Sequence, residues 1–276
     1  MRTILITGCS SGIGEACALR LKEDGWQVHA TARKPEDIDR LKSHGLFAHY
    51  LDYSDTTSIH ACVKAVREQT GDELHALFNN GAYGQPGALE DLPTDVLREQ
   101  FEANFFGWHE LTLLVLPLMR AQGHGRLVHC SSILGWIAAP YRGTYNASKF
   151  ALEGWAGTLR QELIGSGIHV SLIEPGPIAT KFSENGLTKF LEHIDPSSSI
   201  HSKAYENELR RLRKQSKSEI GRFTLPANAV YSKLKHALDS EYPKAHYPLT
   251  IPTHVMNLAR RILPTRLLDR IIVRNT

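Results

Sequence analysis

The architecture of the chain is indicated most clearly by Thr7-Gly8-Cys9-Ser10-Ser11-Gly12-Ile13-Gly14, where three glycines stand within seven residues. The run that leads into it, 3–7, is β-branched and aliphatic, which is typical of a buried strand. From Gly14 to Asp24 apolar residues recur at helical spacing. A strand, a glycine turn and a helix in this order bring backbone N–H groups close to a bound pyrophosphate, and the helix N-terminus adds partial positive charge. A lone glycine pattern is weak evidence, but this context is the one that a dinucleotide-binding turn requires.

Strands and helices alternate along most of the chain beyond this turn. The predicted strands are 3–7, 27–32, 46–51, 74–78, 126–130 and 168–173. The predicted helices are 14–24, 35–44, 55–69, 94–106, 109–120 and 145–163, and Pro117 should kink or shorten the fifth of them. This alternation predicts βαβ crossovers, and therefore an α/β fold with a doubly wound parallel sheet of the Rossmann type. Ligands bind at the carboxyl ends of such strands. We therefore expect one sheet edge to be lined by the residues that follow the strands: Gly8, Arg33, Asp52, Asn80, Ser132 and Pro175.

The pattern loosens after Pro177, where the residues become more polar. We expect a single domain with a cofactor-binding and catalytic core, a helical substrate lid and a C-terminal extension: 1–180, 181–225 and 226–276. A loop-like run, 196–199, interrupts the lid. The extension begins with a predicted helix at 226–238. A basic stretch, 210–217, is interpreted as a solvated helix face.

Composition limits the function classes. The 276 residues are 42% hydrophobic and 22% charged, which is typical of a globular protein, and the net charge of +3 is too small to indicate nucleic-acid binding. The four cysteines form no close pair, so we expect reduced thiols. The fourteen histidines show no spacing typical of a metal site, and we expect none. Neither a signal peptide nor a long apolar run is found, which favours a cytoplasmic protein.

The end of the second predicted strand indicates which dinucleotide binds. An acidic residue there would bond the ribose hydroxyls of NAD, whereas an arginine would accept the 2′-phosphate of NADP. This chain has Arg33 and Lys34, and its next acid is Glu36. The pattern therefore favours NADP(H). The alternative interpretation is that both cations are solvated loop charges.

A second constellation, Ser132, Tyr145 and Lys149, indicates proton transfer. Tyr145 and Lys149 are four residues apart on a predicted helix and so share one face. A free tyrosine has a pKa of about 10, and we expect the nearby ammonium group to lower it. Such a phenol can donate a proton to a carbonyl oxygen or take one from an alcohol, and Ser132 can bond the same oxygen. A Tyr/Lys pair alone is more often an exposed helix face, but the serine at a strand end and the glycine turn upstream favour the functional interpretation.

Together these motifs resemble the short-chain dehydrogenase/reductase family, and the resemblance covers about residues 3–180. Asn79-Asn80-Gly81-Ala82 resembles the family's Asn-Asn-Ala-Gly turn with its last two residues exchanged. Asn104 matches the asparagine that supports the active-site lysine through a water molecule. Pro175-Gly176-Pro177-Ile178-Ala179-Thr180 resembles the loop that closes over the nicotinamide. The resemblance implies a catalytic tetrad of Asn104, Ser132, Tyr145 and Lys149.

The resemblance also implies how NADP(H) is held. Asp52 matches the position that contacts the adenine, and Lys149 would bond the nicotinamide ribose. Many relatives that prefer NADP carry a basic residue in the glycine loop, where this chain has serines, so Arg33 would bear most of that preference. The full set of predicted cofactor-binding residues is Gly8, Ser10, Ser11, Gly12, Ile13, Gly14, Arg33, Asp52, Tyr53, Asn80, Tyr145, Lys149, Pro175, Gly176, Ile178 and Thr180.

The second half of the chain narrows the range of candidate substrates. Its long ending resembles the branch that contains 17β-hydroxysteroid and retinol dehydrogenases and bacterial NADP-dependent aldehyde reductases. This implies a lipophilic aldehyde, ketone or alcohol as substrate. Phe182, Leu187, Phe190 and Leu191 are candidates for an apolar lid, with ordinary packing as the alternative. A 3-oxoacyl thioester reductase and a non-catalytic NADP-binding regulator are the alternative functions.

Two further expectations concern partners. The tail from His254 to Arg274 mixes apolar residues with arginines, so it could lie on a membrane surface or pack against the domain or a second subunit. Packing is the interpretation that the sequence favours. Members of the family are commonly dimers or tetramers, so the resemblance implies a homo-oligomer.

Overall fold

A parallel sheet of seven strands forms the centre of the computed structural model, which describes residues 1–216, 221 and 223–275. In sheet order these strands are β3 (Phe47–Tyr50), β2 (Gln27–Ala32), β1 (Thr3–Ile6), β4 (Ala76–Asn79), β5 (Gly125–Cys130), β6 (Ile168–Pro175) and β9 (His246–Leu249). A separate two-stranded parallel pair joins β7 (Ile178–Ala179) to β8 (Leu225–Pro226). The order reverses between β1 and β4, which is the doubly wound arrangement that the sequence predicts.

Eleven α-helices lie among the described residues. They are α1 (Gly12–Glu23), α2 (Pro35–Ser43), α3 (Thr56–Thr70), α4 (Thr94–Phe101), α5 (Gly107–Gln122), α6 (Gly143–Glu162), α7 (Phe182–His193), α8 (Ser202–Ser216), α9 (Ala229–Asp239), α10 (Ile251–Ile262) and α11 (Thr265–Asn275). The crossovers that join parallel strands pass through these helices, as parallel pairing requires. The predicted fold class is confirmed.

The main core lies against the central strands. Ile4, Leu5 and Ile6 of β1 have no exposed surface, and the apolar faces of the flanking helices pack around them. A strand covered on both faces is apolar along its whole length. This is why 3–7 reads as a continuous apolar run instead of an alternating one.

The structure corrects one sequence-based expectation and adds detail to two other parts of the chain. The helix α5 is not shortened by Pro117 but continues to Gln122. The expected lid contains two helices, α7 and α8, which share a second small core. Residues 217–220 and 222 of the lid lie outside the described part, and residue 217 is also the end of the basic stretch. The edge strand β9 was not predicted, because it is short and contains Pro248. Proline is tolerated on an edge strand, where one side of the backbone has no partner.

Two global expectations can be compared with the described residues. All four cysteines are buried free thiols. Within the described ranges, no helix combines the length and the apolar character that crossing a bilayer demands.

Candidate active site

The glycine turn between β1 and α1 is a backbone cradle that leaves no room for side chains. Gly8 and Gly12 have φ of +65° and +64°, which only glycine adopts easily. A Cβ on Gly8 would lie 2.6 Å from Gly81 Cα, and one on Gly14 would lie 2.3 Å from the Gly8 carbonyl oxygen. Gly12 opens α1, so the first N–H groups of that helix have no partner within it. The turn therefore has the form that binds a pyrophosphate.

This turn opens onto a cavity of about 650 Å³ at the carboxyl edge of the sheet. Ten of the predicted cofactor-binding residues line the cavity: Gly8, Ser10, Ser11, Gly12, Ile13, Arg33, Asp52, Tyr53, Asn80 and Thr180. The size and polar lining suit an extended ligand. The glycine cradle and this cavity fit a dinucleotide.

Arg33 follows the end of β2, where the sequence places it, and its side chain is 72% exposed. Its Nη1 lies 3.7 Å from Oδ2 of Asp52, which follows β3. An exposed pair at this distance holds the guanidinium only weakly. Arg33 therefore keeps most of its donors available at the cavity rim.

Two of the predicted cofactor-binding residues also support the cradle. The Tyr53 hydroxyl is buried, 2.6 Å from Thr7 Oγ1 and 2.8 Å from Asn79 Oδ1. Asn80 donates from Nδ2 to the carbonyls of Thr7 and Gly8 at 3.2 and 3.3 Å. The exchanged Gly81-Ala82 pair therefore leaves the contact between Asn80 and the glycine turn in place.

Four predicted cofactor-binding residues are not among those that line this cavity. Gly14 packs α1 against the turn, and Pro175 is the last residue of β6. Gly176 donates its N–H to Leu249, and a Cβ on it would lie 2.2 Å from Thr250 Oγ1. Ile178 is held in the β7–β8 pair. Binding of the cofactor by these four residues stays a prediction.

The three predicted proton-transfer residues meet at the ends of β5 and α6. Ser132 follows β5, and its hydroxyl shares a hydrogen bond with the Tyr145 phenol. Both side chains are buried, at 8% and 7% exposure. Burial raises the pKa of Tyr145, because the phenolate loses its hydration, and the bond to Ser132 only partly offsets this. The predicted lowering of this pKa by Lys149 is therefore not found.

The Lys149 ammonium group bonds a backbone carbonyl. Its Nζ donates to the Cys130 carbonyl at 2.8 Å and lies 4.2 Å from the centroid of the Trp108 ring. It is 5.8 Å from the centroid of the Tyr145 ring. Burial lowers the pKa of Lys149 to about 8, because an ammonium group without water is less stable. Lys149 thus places an ammonium group beside Tyr145, and the pKa of that group is close to neutral pH.

Asn104 lies in a single π-helical turn, Glu102–Phe106, between α4 and α5. Its side chain bonds both backbone groups of Tyr83, at 3.3 Å to N and 2.9 Å to O, and donates to Ser148 Oγ at 3.3 Å. Wide turns of this kind are frequent at functional sites. Asn104 is therefore fully buried on the side of α6 that carries the catalytic candidates.

The lid helix α7 covers the inner end of the cavity through one residue. The Phe182 ring lines the cavity and packs edge-on against Tyr145, with ring centroids 5.3 Å apart. Phe190 is instead fully buried in the second core, Leu187 packs against that core, and Leu191 is exposed. Of the four lid candidates, Phe182 alone contacts the site.

Sequence reasoning missed several groups around Lys149. Trp108 follows Asn104 by four residues, so helical spacing could have indicated it. Glu153 follows Lys149 by four residues, and it binds Ser131 next to Ser132. Two lysines of the lid, Lys181 and Lys189, also line the cavity. No pattern in the sequence indicated them.

Glu153 belongs to a cluster with Glu174 and His246 that no spacing in the sequence predicts, and the ligand-type atoms of the three lie within 4.8 Å of one another. His246 Nδ1 lies 2.6 Å from Glu174 Oε1. Burial and the Glu174 carboxylate raise the pKa of Glu153 to about 7, and Glu174 raises that of His246. The cluster joins β6, β9 and α6 behind the catalytic candidates.

Known proteins resemble the whole chain. A family model described as short chain dehydrogenase matches residues 2–189. The uncharacterized oxidoreductase YbbO of Escherichia coli is 42% identical over 98% of this chain and 94% of its own. The NADPH-dependent 3-dehydrocapnine reductase of Ornithobacterium rhinotracheale is 31% identical over 100% of this chain and 97% of its own. Retinol dehydrogenase 5 of Mus musculus is 32% identical over 98% of this chain and 87% of its own.

The fold matches solved structures as well. A short-chain dehydrogenase from Streptomyces avermitilis superposes with a TM-score of 0.76 at 26% identity, and the match covers 98% of each chain. The similarity therefore includes the lid and the C-terminal extension as well as the motif-bearing core.

Proposed function

Since this chain belongs to the short-chain dehydrogenase/reductase family, we propose that it is an NADP(H)-dependent enzyme that interconverts a lipophilic aldehyde or ketone and its alcohol. The predicted family is confirmed, and so is the resemblance to the retinol dehydrogenase-like branch. One observation carries the proposal. The bonded pair Ser132–Tyr145, with the Lys149 ammonium beside it, lies at the sheet edge that also holds the glycine cradle.

The cradle and the cavity rim hold the cofactor in this proposal. Backbone N–H groups at 8–14 bind the pyrophosphate, and Arg33 binds the 2′-phosphate with charge-assisted hydrogen bonds. Asp52, which lines the same cavity, would contact the adenine. Bound NADPH supplies the hydride. The NADPH-dependent relative at 31% identity supports this cofactor preference.

Tyr145 acts as the general acid in the direction of reduction. The phenol is protonated at neutral pH, so a proton is available for the carbonyl oxygen that gains negative charge. Ser132 donates a second hydrogen bond to that oxygen. In the direction of oxidation the alcohol proton returns to Tyr145 by the same path.

Lys149 supplies a positive charge near the phenolate that proton donation leaves behind. Its ammonium group lies in a water-poor region between Cys130 and Trp108, where charge–charge attraction is stronger than in water. Asn104 fixes the backbone at Tyr83 and contacts Ser148, which precedes Lys149 on α6. It acts as a positioning residue for the helix that carries both catalytic groups.

The substrate end is apolar where it meets the phenol. Phe182 packs edge-on against Tyr145 and lines the cavity. An aromatic wall of this kind favours substrates that carry a long or cyclic hydrocarbon next to the carbonyl group. Relatives that are named for retinol and for 3-dehydrocapnine support the same substrate class.

The experiment that tests the function follows the near-ultraviolet absorbance of NADPH, and separately of NADH, with a panel of carbonyl compounds. The panel contains medium-chain aldehydes, retinal, a ketosteroid and a 3-oxoacyl thioester. We expect NADPH to be oxidised by the lipophilic aldehydes or ketones. Turnover of the thioester alone would identify a 3-oxoacyl reductase, and tight NADPH binding without turnover of any compound would favour a regulator.

A further inference from the structure

The helix α10 turns an apolar stripe away from the rest of the molecule. Ile251, Val255, Leu258 and Ile262 are 64%, 58%, 61% and 68% exposed. Their spacing of four, three and four residues places them on one side of the helix. A surface helix of a globular protein normally buries this stripe, so its exposure points to a partner surface.

The polar side of α10 faces the domain instead. Thr253 is fully buried and bonds Thr250 at 3.0 Å. Arg260 lies over the Trp136 ring at 4.9 Å from its centroid and donates to the Trp136 carbonyl at 3.4 Å. Because Thr253 and Arg260 lie on the domain side of the helix, the apolar stripe faces outward. This stripe is therefore not packed against the domain. Packing against a second subunit, the other part of the sequence-based expectation, stays a prediction.

The two C-terminal helices carry a strong positive charge beside the stripe. Between Ile251 and Asn275 the chain contains one acid, Asp269, and five arginines: Arg260, Arg261, Arg266, Arg270 and Arg274. The last three are spaced by four and so form one row on α11. Leu267, at 44% exposure, adds apolar surface to that helix.

We propose that α10 and α11 dock flat on the surface of an anionic lipid bilayer. Exposed apolar side chains flanked by arginines suit the boundary between acyl chains and negative headgroups. A symmetric contact between two copies through this face is disfavoured, because each copy would offer the arginines of the other only one carboxylate, Asp269. Charge complementarity therefore selects an anionic lipid surface over a second copy of this chain.

Docking on this face would also bring the site to the membrane. The helix α10 begins two residues after β9, at the carboxyl edge of the sheet, and Trp136 follows Ser132 by four residues. If the proposed function holds, a carbonyl compound dissolved in the bilayer would reach Tyr145 over a short path. Membrane binding itself needs no substrate and is tested without one.

The test is co-sedimentation of the full chain with vesicles of phosphatidylcholine alone or with an equal part of phosphatidylglycerol. Leu258→Glu/Ile262→Glu changes the apolar stripe, and Arg266→Gln/Arg270→Gln changes the charge. Ile164→Glu is the matched control, because Ile164 is 79% exposed and lies at the opposite edge of the sheet, before β6. Circular dichroism and sedimentation velocity of each variant report folding and oligomeric state.

We expect the wild type and the control to bind the anionic vesicles at least about tenfold more tightly than the neutral ones, and salt to weaken this binding. Each double variant should lose at least about tenfold while it remains folded. Equal binding of the control and both double variants would overturn the proposal. So would a dimer that dissociates on Leu258→Glu/Ile262→Glu without any binding of vesicles, since the stripe would then be a subunit interface.

Discussion

At the scale of single residues, Lys149 combines a functional role with a cost in stability. Its ammonium group is 1% exposed, and burial lowers its pKa from 10.5 to about 8. Folding therefore disfavours the charged form at neutral pH, where an unfolded lysine is fully protonated. The hydrogen bond to Cys130 and the contact with the Trp108 ring offset only part of the free energy lost by desolvation.

We predict that Lys149→Met abolishes turnover and raises the free energy of unfolding at pH 7 by about 2 kcal/mol. The wild type binds fewer protons when folded than when unfolded between about pH 8 and the unfolded pKa of about 10.4, so its stability rises over that range. The difference in the free energy of unfolding between the variant and the wild type should therefore become smaller over this pH range. Urea denaturation at pH 7 and at pH 9.5 measures both quantities, and a variant less stable at pH 7 would refute the account of this residue.

Arg33 is the second residue whose role can be isolated. We predict that Arg33→Ser raises the KM for NADPH by about tenfold to a hundredfold, because a charge-assisted bond of about 1.5–3 kcal/mol is lost. The KM for NADH should remain within about twofold, since that cofactor has no 2′-phosphate. Lys34→Ser is the control and should leave both constants nearly unchanged. Equal effects of Arg33→Ser on the two cofactors would remove the basis of the NADP preference.

At the scale of elements, the lid helix α7 couples the substrate to Tyr145 through Phe182. We predict that Phe182→Ala lowers kcat/KM for a long-chain aldehyde by about tenfold, because apolar contact area is lost, and lowers it much less for a short one. Leu191→Ala, an exposed position on the same helix, is the matched control. Steady-state kinetics with aldehydes of increasing chain length distinguishes the two variants. A loss that does not depend on chain length would contradict the assignment.

Elements with local signals could be predicted from the sequence, and elements that depend on distant contacts could not. The glycines at 8, 12 and 14 and the spacing of Tyr145 and Lys149 sufficed for the β1–α1 turn and one face of α6. The strand β9 could not be predicted, because it exists only through pairing with β6 across more than 70 residues. For the same reason Phe182 and Phe190 look alike in the sequence, although one lines the cavity and the other fills a core.

At the scale of the whole molecule, the cluster of Glu153, Glu174 and His246 makes stability depend on pH. The pKa of Glu153 is raised to about 7, so the folded state holds a proton that the unfolded state releases above about pH 4.5. The raised pKa of His246 adds stability that is complete below about pH 6.5 and is lost as the pH rises through it. Both shifts make stability fall as the pH rises from about 5 to 8.

We predict that Glu153→Gln flattens this dependence. The amide carries no charge and can still accept the Ser131 hydrogen bond. At pH 8 the variant should exceed the wild type by about 2 kcal/mol in the free energy of unfolding, and at pH 5 the two should be nearly equal. Thermal and urea unfolding across this range measure the difference. Parallel pH profiles for the two proteins would exclude Glu153 as the titrating group.

The central claim is that the Tyr145 phenol donates the proton to the carbonyl oxygen of the substrate. Tyr145→Phe tests it most directly, because this change removes one oxygen and leaves the ring against Phe182. Turnover of a lipophilic aldehyde and the binding of NADPH, followed by its fluorescence, are measured on the same preparation. We predict that kcat falls by about a thousandfold, while the Kd for NADPH changes by less than about threefold. Retention of most of the wild-type kcat with intact cofactor binding would contradict the claim and place the proton donor elsewhere.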